Sequence, residues 1–327
     1  MNLKFLSKRN LVLLAAATLV IAAVLLWRLW PRAHGDFVEY PMALATDIPT
    51  AVAIAPDGTV WFTIDSAGVM GVIRDGKIAR LPTVRKIVEP IGLAVDAEGA
   101  AWYGDASGAM ISRMLPGGAI KSFPLGTPIA RLGRLTVAAD GAVWFAEGTG
   151  YGFTRLRDGV LARNVPKSVR GGPYGVAVDA QGNLWGTLQS GNQIVKISPA
   201  GEIAEYEVPT RASAPSDIVV DGAGNTWFLE FRSNKIGKFA GGKFAEFEVP
   251  GEWGGLTGLT AAPDGSVWFG LLRGHRLGRL HEGEMKMFPL PRADARPYTL
   301  AADKKGNIWY ADISGYVGML KADAAKR

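Results

Sequence analysis

Four carboxylate side chains recur at one spacing in this sequence, each three positions after a tryptophan. Carboxylate oxygens are the ligands that hard divalent cations prefer, so carboxylates converging from several segments could hold such an ion. The alternative is that each one accepts hydrogen bonds from loop amides or pairs with a nearby arginine. The candidate metal ligands are Asp105, Glu147, Glu230 and Asp312.

Basic side chains are concentrated in the segments that separate the tryptophan-containing phrases. These residues are Arg85, Lys86, Arg131, Arg134, Lys167, Arg170, Arg211, Arg292 and Arg296. The acids that offset part of this charge are Glu89, Asp217, Glu252 and Asp294. An anionic ligand or an acidic partner would explain the excess, and ordinary solvated loop charge is the alternative. We treat Arg134 and Arg170 as candidate ligand-binding residues.

Several catalytic chemistries are excluded by composition. The chain has no cysteine, so it has no disulfide, no zinc-thiolate site and no cysteine nucleophile. It has no phosphate-cradling glycine loop before a helix, no Gly-x-Ser-x-Gly elbow and no paired-histidine metal motif. Its three histidines are His34, His275 and His281. We include His275 among the candidate ligand-binding residues, and the catalytic residues, if any, stay unknown.

An internal repeat organises these residues. Tryptophan recurs at positions 61, 102, 144, 185, 227, 268 and 309, always within an apolar phrase that follows a glycine-containing turn. Each copy contains four short apolar segments between turns, which in the fourth copy are Gly175–Asp179, Leu184–Leu188, Gln193–Ile197 and Ile203–Val208. Four strands in about 41 residues, repeated radially, predict an all-β seven-bladed β-propeller with four-stranded blades. We expect the tryptophans to pack between adjacent blades.

The chain ends predict how the ring closes. The last copy stops after its third strand, Val317–Leu320, whereas Asp36–Pro41 matches the fourth-strand phrases Ala204–Pro209 and Ala245–Pro250. The N-terminal strand should therefore complete the last blade and remove two exposed edges. We define the top face as the surface made by the loops between blades and the loops between second and third strands. The segment before residue 36 then enters from the opposite, bottom face.

The N-terminal segment predicts a membrane anchor. Leu11–Trp27 is an uncharged apolar run, long enough to cross a hydrocarbon core as a helix. Basic residues before it place the N-terminus in the cytoplasm and the propeller in the periplasm or outside the cell. A signal peptide cleaved before Asp36 is the alternative. We thus divide the chain into residues 1–35 (cytoplasmic stub, transmembrane signal-anchor and linker) and residues 36–327 (propeller).

The net charge of +6 does not indicate a nucleic-acid partner. Five of the 36 basic residues lie in residues 1–35, which contain no acid, so the rest of the chain is nearly neutral. A nucleic-acid-binding domain would carry its positive charge in the folded part. We therefore expect no nucleic-acid binding.

The repeat phrases Pro263–Phe269, Ser233–Lys238 and Glu246–Pro250 resemble those of the virginiamycin B lyase family. The resemblance covers residues 36 to 327. It implies a seven-bladed propeller that linearises streptogramin B antibiotics by elimination with a divalent metal, so Mg²⁺ is a possible cofactor. Family histidines follow a proline at the start of a blade's first strand. The matching places here are occupied by Ile91, Tyr174, Ser216 and Tyr298.

Two tyrosines and one tryptophan complete the candidate ligand-binding set. Tyr174 and Tyr298 could donate hydrogen bonds to a ligand, or act as acid or base if their pKa were lowered, or simply fill the channel mouth. Trp253 lies outside the repeat register in a glycine-rich top loop and could form a ligand platform. Two hypotheses follow. The protein is a membrane-anchored binding propeller for a small-molecule or anionic ligand or a protein partner on its top face, or it is a metal-dependent C–O lyase with altered catalytic residues.

Overall fold

The structure is a computed structural model and describes residues 31–87, 90–126, 132–148, 152–168, 171–252 and 254–326. Its strands form seven antiparallel sheets, each with its first strand at one edge. The all-β seven-bladed propeller that the tryptophan spacing predicts is therefore confirmed. The strand bounds predicted for the fourth copy agree with the structure to within two residues.

The strands follow one another in blade order. Before blade 1 lie β1 (Arg32–His34) and β2 (Phe37–Pro41). Blades 1 and 2 contain β3 (Pro49–Ile54), β4 (Val60–Ile64), β5 (Val69–Arg74), β6 (Lys77–Pro82), β7 (Leu93–Val95), β8 (Ala101–Asp105), β9 (Met110–Met114) and β10 (Ile120–Pro124). Blades 3 and 4 contain β11 (Leu132–Val137), β12 (Val143–Glu147), β13 (Gly152–Arg157), β14 (Val160–Asn164), β15 (Pro173–Val178), β16 (Leu184–Leu188), β17 (Gln193–Ile197) and β18 (Ile203–Glu207).

Blades 5 and 6 contain β19 (Pro215–Val220), β20 (Thr226–Glu230), β21 (Lys235–Ala240), β22 (Lys243–Glu248), β23 (Leu256–Ala261), β24 (Val267–Leu271), β25 (Arg276–His281) and β26 (Glu284–Pro289). Blade 7 contains β27 (Pro297–Ala302), β28 (Ile308–Asp312) and β29 (Tyr316–Leu320), followed by the short helix α1 (Ala322–Ala325). The first strands of successive blades contact one another in a closed cycle that includes β27 with β3. They therefore surround a central channel.

The repeated tryptophans hold neighbouring blades together, as predicted. Trp227 of blade 5 lies in one apolar cluster with Val267 and Phe269 of blade 6. In the same way, Trp309 of blade 7 packs with Val60 of blade 1 across the closure. A large aromatic at one fixed position thus buries apolar area at every interface between blades.

The N-terminal strand closes the ring, as predicted, but in a different register. Strand β2 pairs with β29, so blade 7 combines both chain ends. The sequence phrases align Tyr40 with Val208, whereas in the structure Tyr40 stacks on Trp309 at a centroid distance of 5.8 Å. The equivalent contact in blade 4 joins Tyr206 to Trp185 at 6.1 Å. Aromatic stacking therefore sets the register, and the phrase alignment is wrong by two residues.

The strand β1 extends this closure. It pairs with β2 through Ala33 opposite Val38, which adds a fifth strand to the outer edge of blade 7. These residues, His34 among them, lie in the segment that the sequence predicts to be a linker.

The predicted membrane anchor, Leu11–Trp27, lies outside the described residues. Within the part of the chain that the structure describes, no helix is long and apolar enough to cross a bilayer.

Candidate functional site

The upper ends of the innermost strands share an irregularity that shapes the channel mouth. In β15 the antiparallel register shifts between Pro173 and Val176. Similar shifts occur near the start of β3, β11, β19, β23 and β27. Such bulges re-aim side chains locally. The residues that they direct into the channel mouth are Arg134, Tyr174, Asp217 and Tyr298.

An ion pair spans the channel at this level. Arg134 of blade 3 donates from Nε to Asp217 Oδ1 at 2.6 Å and from Nη2 to Oδ2 at 2.9 Å, although the two residues belong to blades 3 and 5. Its Nη1 donates to the Ile91 carbonyl of blade 2 at 2.7 Å. The two side chains are 13% and 11% exposed. The bidentate geometry and the burial make this a strong, fixed contact.

Two tyrosine rings flank the guanidinium. Arg134 Cζ lies 5.7 Å from the ring centroid of Tyr174 and 5.8 Å from that of Tyr298, within the range of cation–π attraction. Burial raises the pKa of Tyr174, so its phenol stays protonated at neutral pH. Burial opposes the charge of Arg134, but Asp217 outweighs that effect and the net pKa of Arg134 is raised. The mouth therefore presents a compensated ion pair beside two phenol groups.

Aliphatic side chains line much of the space beside the ion pair. Arg134 and Asp217 border a cavity of about 140 Å³ whose walls include Val52, Leu135, Val176, Ile218 and Leu300. The pair thus lies across the channel at the level of the mouth. We call the recess above it, formed by Arg134, Tyr174, Asp217 and Tyr298, the mouth cup.

The four predicted metal ligands do not converge on the channel. Each lies buried at the end of the second strand of its own blade. Three of them face an arginine. The pairs are Asp105–Arg85 at 2.9 Å, Glu147–Arg163 at 3.5 Å and Asp312–Arg292. Among the residues that the structure describes, no group of three or more His, Asp or Glu side chains could hold a metal ion.

Asp105 and Asp312 instead hold top-face loops, which is the alternative that the sequence left open. Asp312 Oδ1 accepts hydrogen bonds from the backbone N–H groups of Arg296 and Ser314, both at 2.9 Å. Asp105 accepts one from the hydroxyl of Ser107 at 2.7 Å. The described residues therefore do not fit the divalent metal that the family resemblance implies, and we derive no step through it.

Glu230 differs from the other three acids because no arginine among the described residues forms a salt bridge with it. It accepts a hydrogen bond from the Ser233 hydroxyl at 2.8 Å and lies near Glu246, which Lys235 contacts at 3.2 Å. Burial raises the pKa of Glu230 to about 7, and the hydrogen bond from Ser233 opposes that rise. The pKa of this carboxyl therefore lies close to neutral pH.

Comparison with known proteins places this fold in a family. The model of the virginiamycin B lyase family matches residues 31–160 and 136–325. The chain belongs to the virginiamycin B lyase family. It is 30% identical over 189 residues to the virginiamycin B lyase of Nocardia farcinica, a match that covers 58% of this chain and 65% of that enzyme.

Solved structures agree with this assignment. A catalytically inactive histidine-to-alanine variant of the virginiamycin B lyase from Staphylococcus aureus, with quinupristin, is 26% identical to this chain. The superposition covers 87% of this chain and 98% of the lyase, with a TM-score of 0.83. A streptogramin B lyase, 24% identical, matches in fold with a TM-score of 0.82 over 86% of this chain and 96% of that one.

Histidine is absent from the mouth cup of this family member. His275 lies in the loop between β24 and β25 with a positive φ of 50°, and its Nδ1 is 2.6 Å from the Ala295 carbonyl oxygen. Asn192 and Asn234 occupy the same loop position in other blades and donate to carbonyls as well. His275 therefore shapes its loop, and its predicted contact with a ligand stays a prediction.

The predicted basic loops are partly neutralised within the protein. Arg85, Arg134 and Arg292 each pair with a carboxylate. The loop residues that stay exposed are Lys86, Lys167, Arg211 and Arg296. Arg131, Arg170 and Trp253 lie outside the described residues, so the ligand-binding roles of Arg170 and Trp253 stay predictions.

The sequence analysis missed that Arg134 and Asp217 form one pair. A signal was present, since each lies ten positions before a repeat tryptophan, Trp144 and Trp227 respectively. Equivalent positions of a propeller face the same channel, so opposite charges at one repeat position indicate a contact across it. The network that joins Arg292 to Glu39 in the closing blade was also missed.

Proposed function

We propose that this protein is a binding propeller that recognises a ligand or partner on its top face without turnover. The observation that carries the proposal is the mouth cup, where Arg134 and Asp217 neutralise each other between Tyr174 and Tyr298. Fixed hydrogen-bonding groups around aromatic rings are typical of a binding recess. Groups poised to exchange protons are what an elimination would require.

The proton chemistry of the mouth cup favours binding over elimination. A base must accept a proton near neutral pH, but the raised pKa of Tyr174 leaves almost no phenolate there. Arg134 stays charged and cannot act as a base, and both carboxylate oxygens of Asp217 accept hydrogen bonds from it. Substitution of a histidine gives a catalytically inactive form of the S. aureus relative. Among the described residues, the four side chains that form the mouth cup here include no histidine.

The lyase activity is the second candidate, supported by similarity across the whole propeller. To separate the two, the full chain in detergent would be incubated with quinupristin and Mg²⁺. Chromatography with mass spectrometry would follow the cyclic antibiotic and its isobaric linear product. We expect no linearisation above a protein-free control. Metal-dependent linearisation would overturn the binding-only proposal.

Binding in the mouth cup has its own readout in the same experiment. Equilibrium dialysis would measure retained quinupristin for the unmodified chain, Tyr174→Phe and Tyr206→Phe. Tyr206 lies on the outer strand of blade 4 and serves as the matched control. If Tyr174→Phe retains less quinupristin than the unmodified chain and Tyr206→Phe does not, the result supports the mouth cup as the binding site. Equal retention by both variants would place the ligand elsewhere.

We further propose that residues 11–27 anchor the protein in a membrane and that the propeller lies outside the cytoplasm. The length of the apolar run and the basic residues before it support this arrangement. Carbonate extraction of membranes from cells that produce the full chain should leave it in the pellet, and external protease should reach the propeller in spheroplasts. A soluble protein that begins at Asp36 would instead indicate a cleaved signal peptide.

A further inference from the structure

An apolar patch lies on the top face at the junction of blades 7, 1 and 2. Leu44, Ile48 and Val84 are 53%, 41% and 77% exposed. The loops that carry them meet at the turn after β4, because Asp65 N donates to the Ile48 carbonyl and Ser66 N donates to the Ile87 carbonyl, both at 2.9 Å. Three large aliphatic side chains exposed on adjoining loops make a patch that a partner could cover.

Exposed arginines continue the same face through blades 5 and 7. Arg211, Arg232 and Arg296 are exposed, and no salt bridge joins them to a carboxylate among the described residues. They contrast with the buried arginine of the mouth cup, whose charge is already compensated. Guanidinium groups without a counter-ion at a surface are available to an acidic partner.

Backbone contacts link the arginines to the apolar patch. The Arg296 carbonyl accepts a hydrogen bond from Ile313 N at 3.1 Å, in the hairpin loop of blade 7. At the other end of that loop, the Gly315 carbonyl accepts one from Met42 N at 2.9 Å, just before the segment that carries Leu44. In blade 5, Arg232 N donates to the Ser213 carbonyl, two residues from Arg211. Arg211, Arg232, Arg296, Leu44, Ile48 and Val84 thus lie on the top-face loops of blades 5, 7, 1 and 2, and we call this set the top-face arc.

The arc is better suited to an extended chain than to a compact ligand. Its apolar end lies at blades 7, 1 and 2 and its basic end at blades 5 and 7, so one occupant must reach across several blades. Arg134 and Asp217 pair across the channel below, which favours an occupant that stays on the surface. An extended peptide offers side chains at intervals of about 3.3 Å per residue and can place acids and apolar groups on successive blades.

We propose that the top-face arc binds an extended segment of a partner protein that carries acidic residues next to aliphatic or aromatic ones. The acids lie over Arg211, Arg232 and Arg296, and the apolar side chains cover Leu44, Ile48 and Val84. This inference rests on the proposed top-face binding function and names the class of partner.

The test measures peptide binding to the full chain in detergent by fluorescence anisotropy. The probes are labelled peptides of about ten residues, which reach about 33 Å when extended. One combines Asp and Glu with leucines, a second replaces the acids by Asn and Gln, and a third replaces the leucines by serines. The first should bind more tightly than either of the others, and salt should weaken it.

Matched variants separate the arc from general surface effects. Arg296→Glu and Val84→Asp alter the arc, whereas Lys243→Glu and Val160→Asp make the same changes on the bottom face, where Val160 is 69% exposed. Each arc variant should weaken the first peptide by about two- to fivefold, since one surface ion pair or contact accounts for up to about 1 kcal/mol. The bottom-face variants should bind as the unmodified chain does, and thermal midpoints should confirm that all four fold.

Two results would overturn the inference. Equal affinity of arc and bottom-face variants would remove the arc as the site. If the acidic and the neutral peptide bind the unmodified chain with equal affinity, the arginines do not recognise acidic residues of the peptide. A small ligand that responds to Tyr174→Phe but not to Arg296→Glu would refute the arc and still leave the proposed function intact, so the two failures are distinguishable.

Discussion

The closing blade should depend strongly on one buried arginine. Arg292 donates from Nε to both oxygens of Glu39, at 3.2 and 3.1 Å, and from Nη2 to Asp312, while its Cζ lies 3.6 Å from the ring centroid of Tyr316. Both acids are fully buried. Arg292→Met would leave two uncompensated carboxylates between the N-terminal strand and blade 7. Breaking a buried pair in this way costs about 3–5 kcal/mol. That is a large share of a typical stability of about 5–15 kcal/mol.

Denaturant unfolding at two pH values would test this reasoning. Without Arg292, two buried carboxylates would lack their arginine counter-ion, a cost that protonation removes, so the variant should lose stability as pH rises. The loss in free energy of unfolding, relative to the unmodified protein, should therefore be larger near pH 8 than near pH 5. Arg296→Met is the matched control, because that side chain is exposed in the same loop. Adding Glu39→Gln and Asp312→Asn should restore much of the loss. A deficit below about 1 kcal/mol, or one independent of pH, would refute the role of this network.

Two further predictions concern the blades themselves. Because burial raises the pKa of Glu230 to about 7 from its ordinary 4.5, its contribution to stability is present below about pH 4.5 and is lost as pH rises through 7. Glu230→Gln should make the thermal midpoint less dependent on pH between pH 5 and 8. A thermal midpoint of the unmodified protein that is already independent of pH would contradict this prediction. Gly237→Ala would push a methyl group into the ring of Phe228 and cost about 1–3 kcal/mol. Gly222→Ala meets nothing within 4 Å and should be nearly neutral in the same unfolding assay.

The ring architecture could be predicted from sequence because its determinants are local and repeated. Seven tryptophans at nearly constant spacing specify blade number, and the turn residues between them specify strand number. The register of the closing strand could not be predicted as reliably. Two short phrases share a glutamate and a proline, but the stacking of Tyr40 on Trp309 outweighs that likeness. A contact between the two chain ends is decided by packing, which a phrase alignment does not represent.

The candidate site was harder to predict because its contacts join distant parts of the chain. The positions of Arg134 and Asp217 within the repeat could be assigned, yet their pairing links residues 83 positions apart. The contact between Arg292 and Glu39 spans 253 positions. The sequence therefore located carboxylates at strand ends correctly but could not reveal that an arginine already faces most of them. A carboxylate that binds a metal and a carboxylate that holds a loop occur in the same local sequence pattern. The arginine that pairs with the carboxylate distinguishes the two.

The residues that hold this propeller together are different from those that could face a ligand. The tryptophan of each repeat packs against the next blade, whereas the positions ten and eleven residues earlier face the channel and carry Arg134, Asp217, Tyr174 and Tyr298. A TM-score of 0.83 at 26% identity means that the ring tolerates extensive replacement elsewhere in the sequence. Family membership therefore predicts the scaffold, and the chemistry has to be argued from the mouth. Here that mouth holds a compensated ion pair and a protonated phenol, groups that fix and orient a bound molecule better than they move its protons.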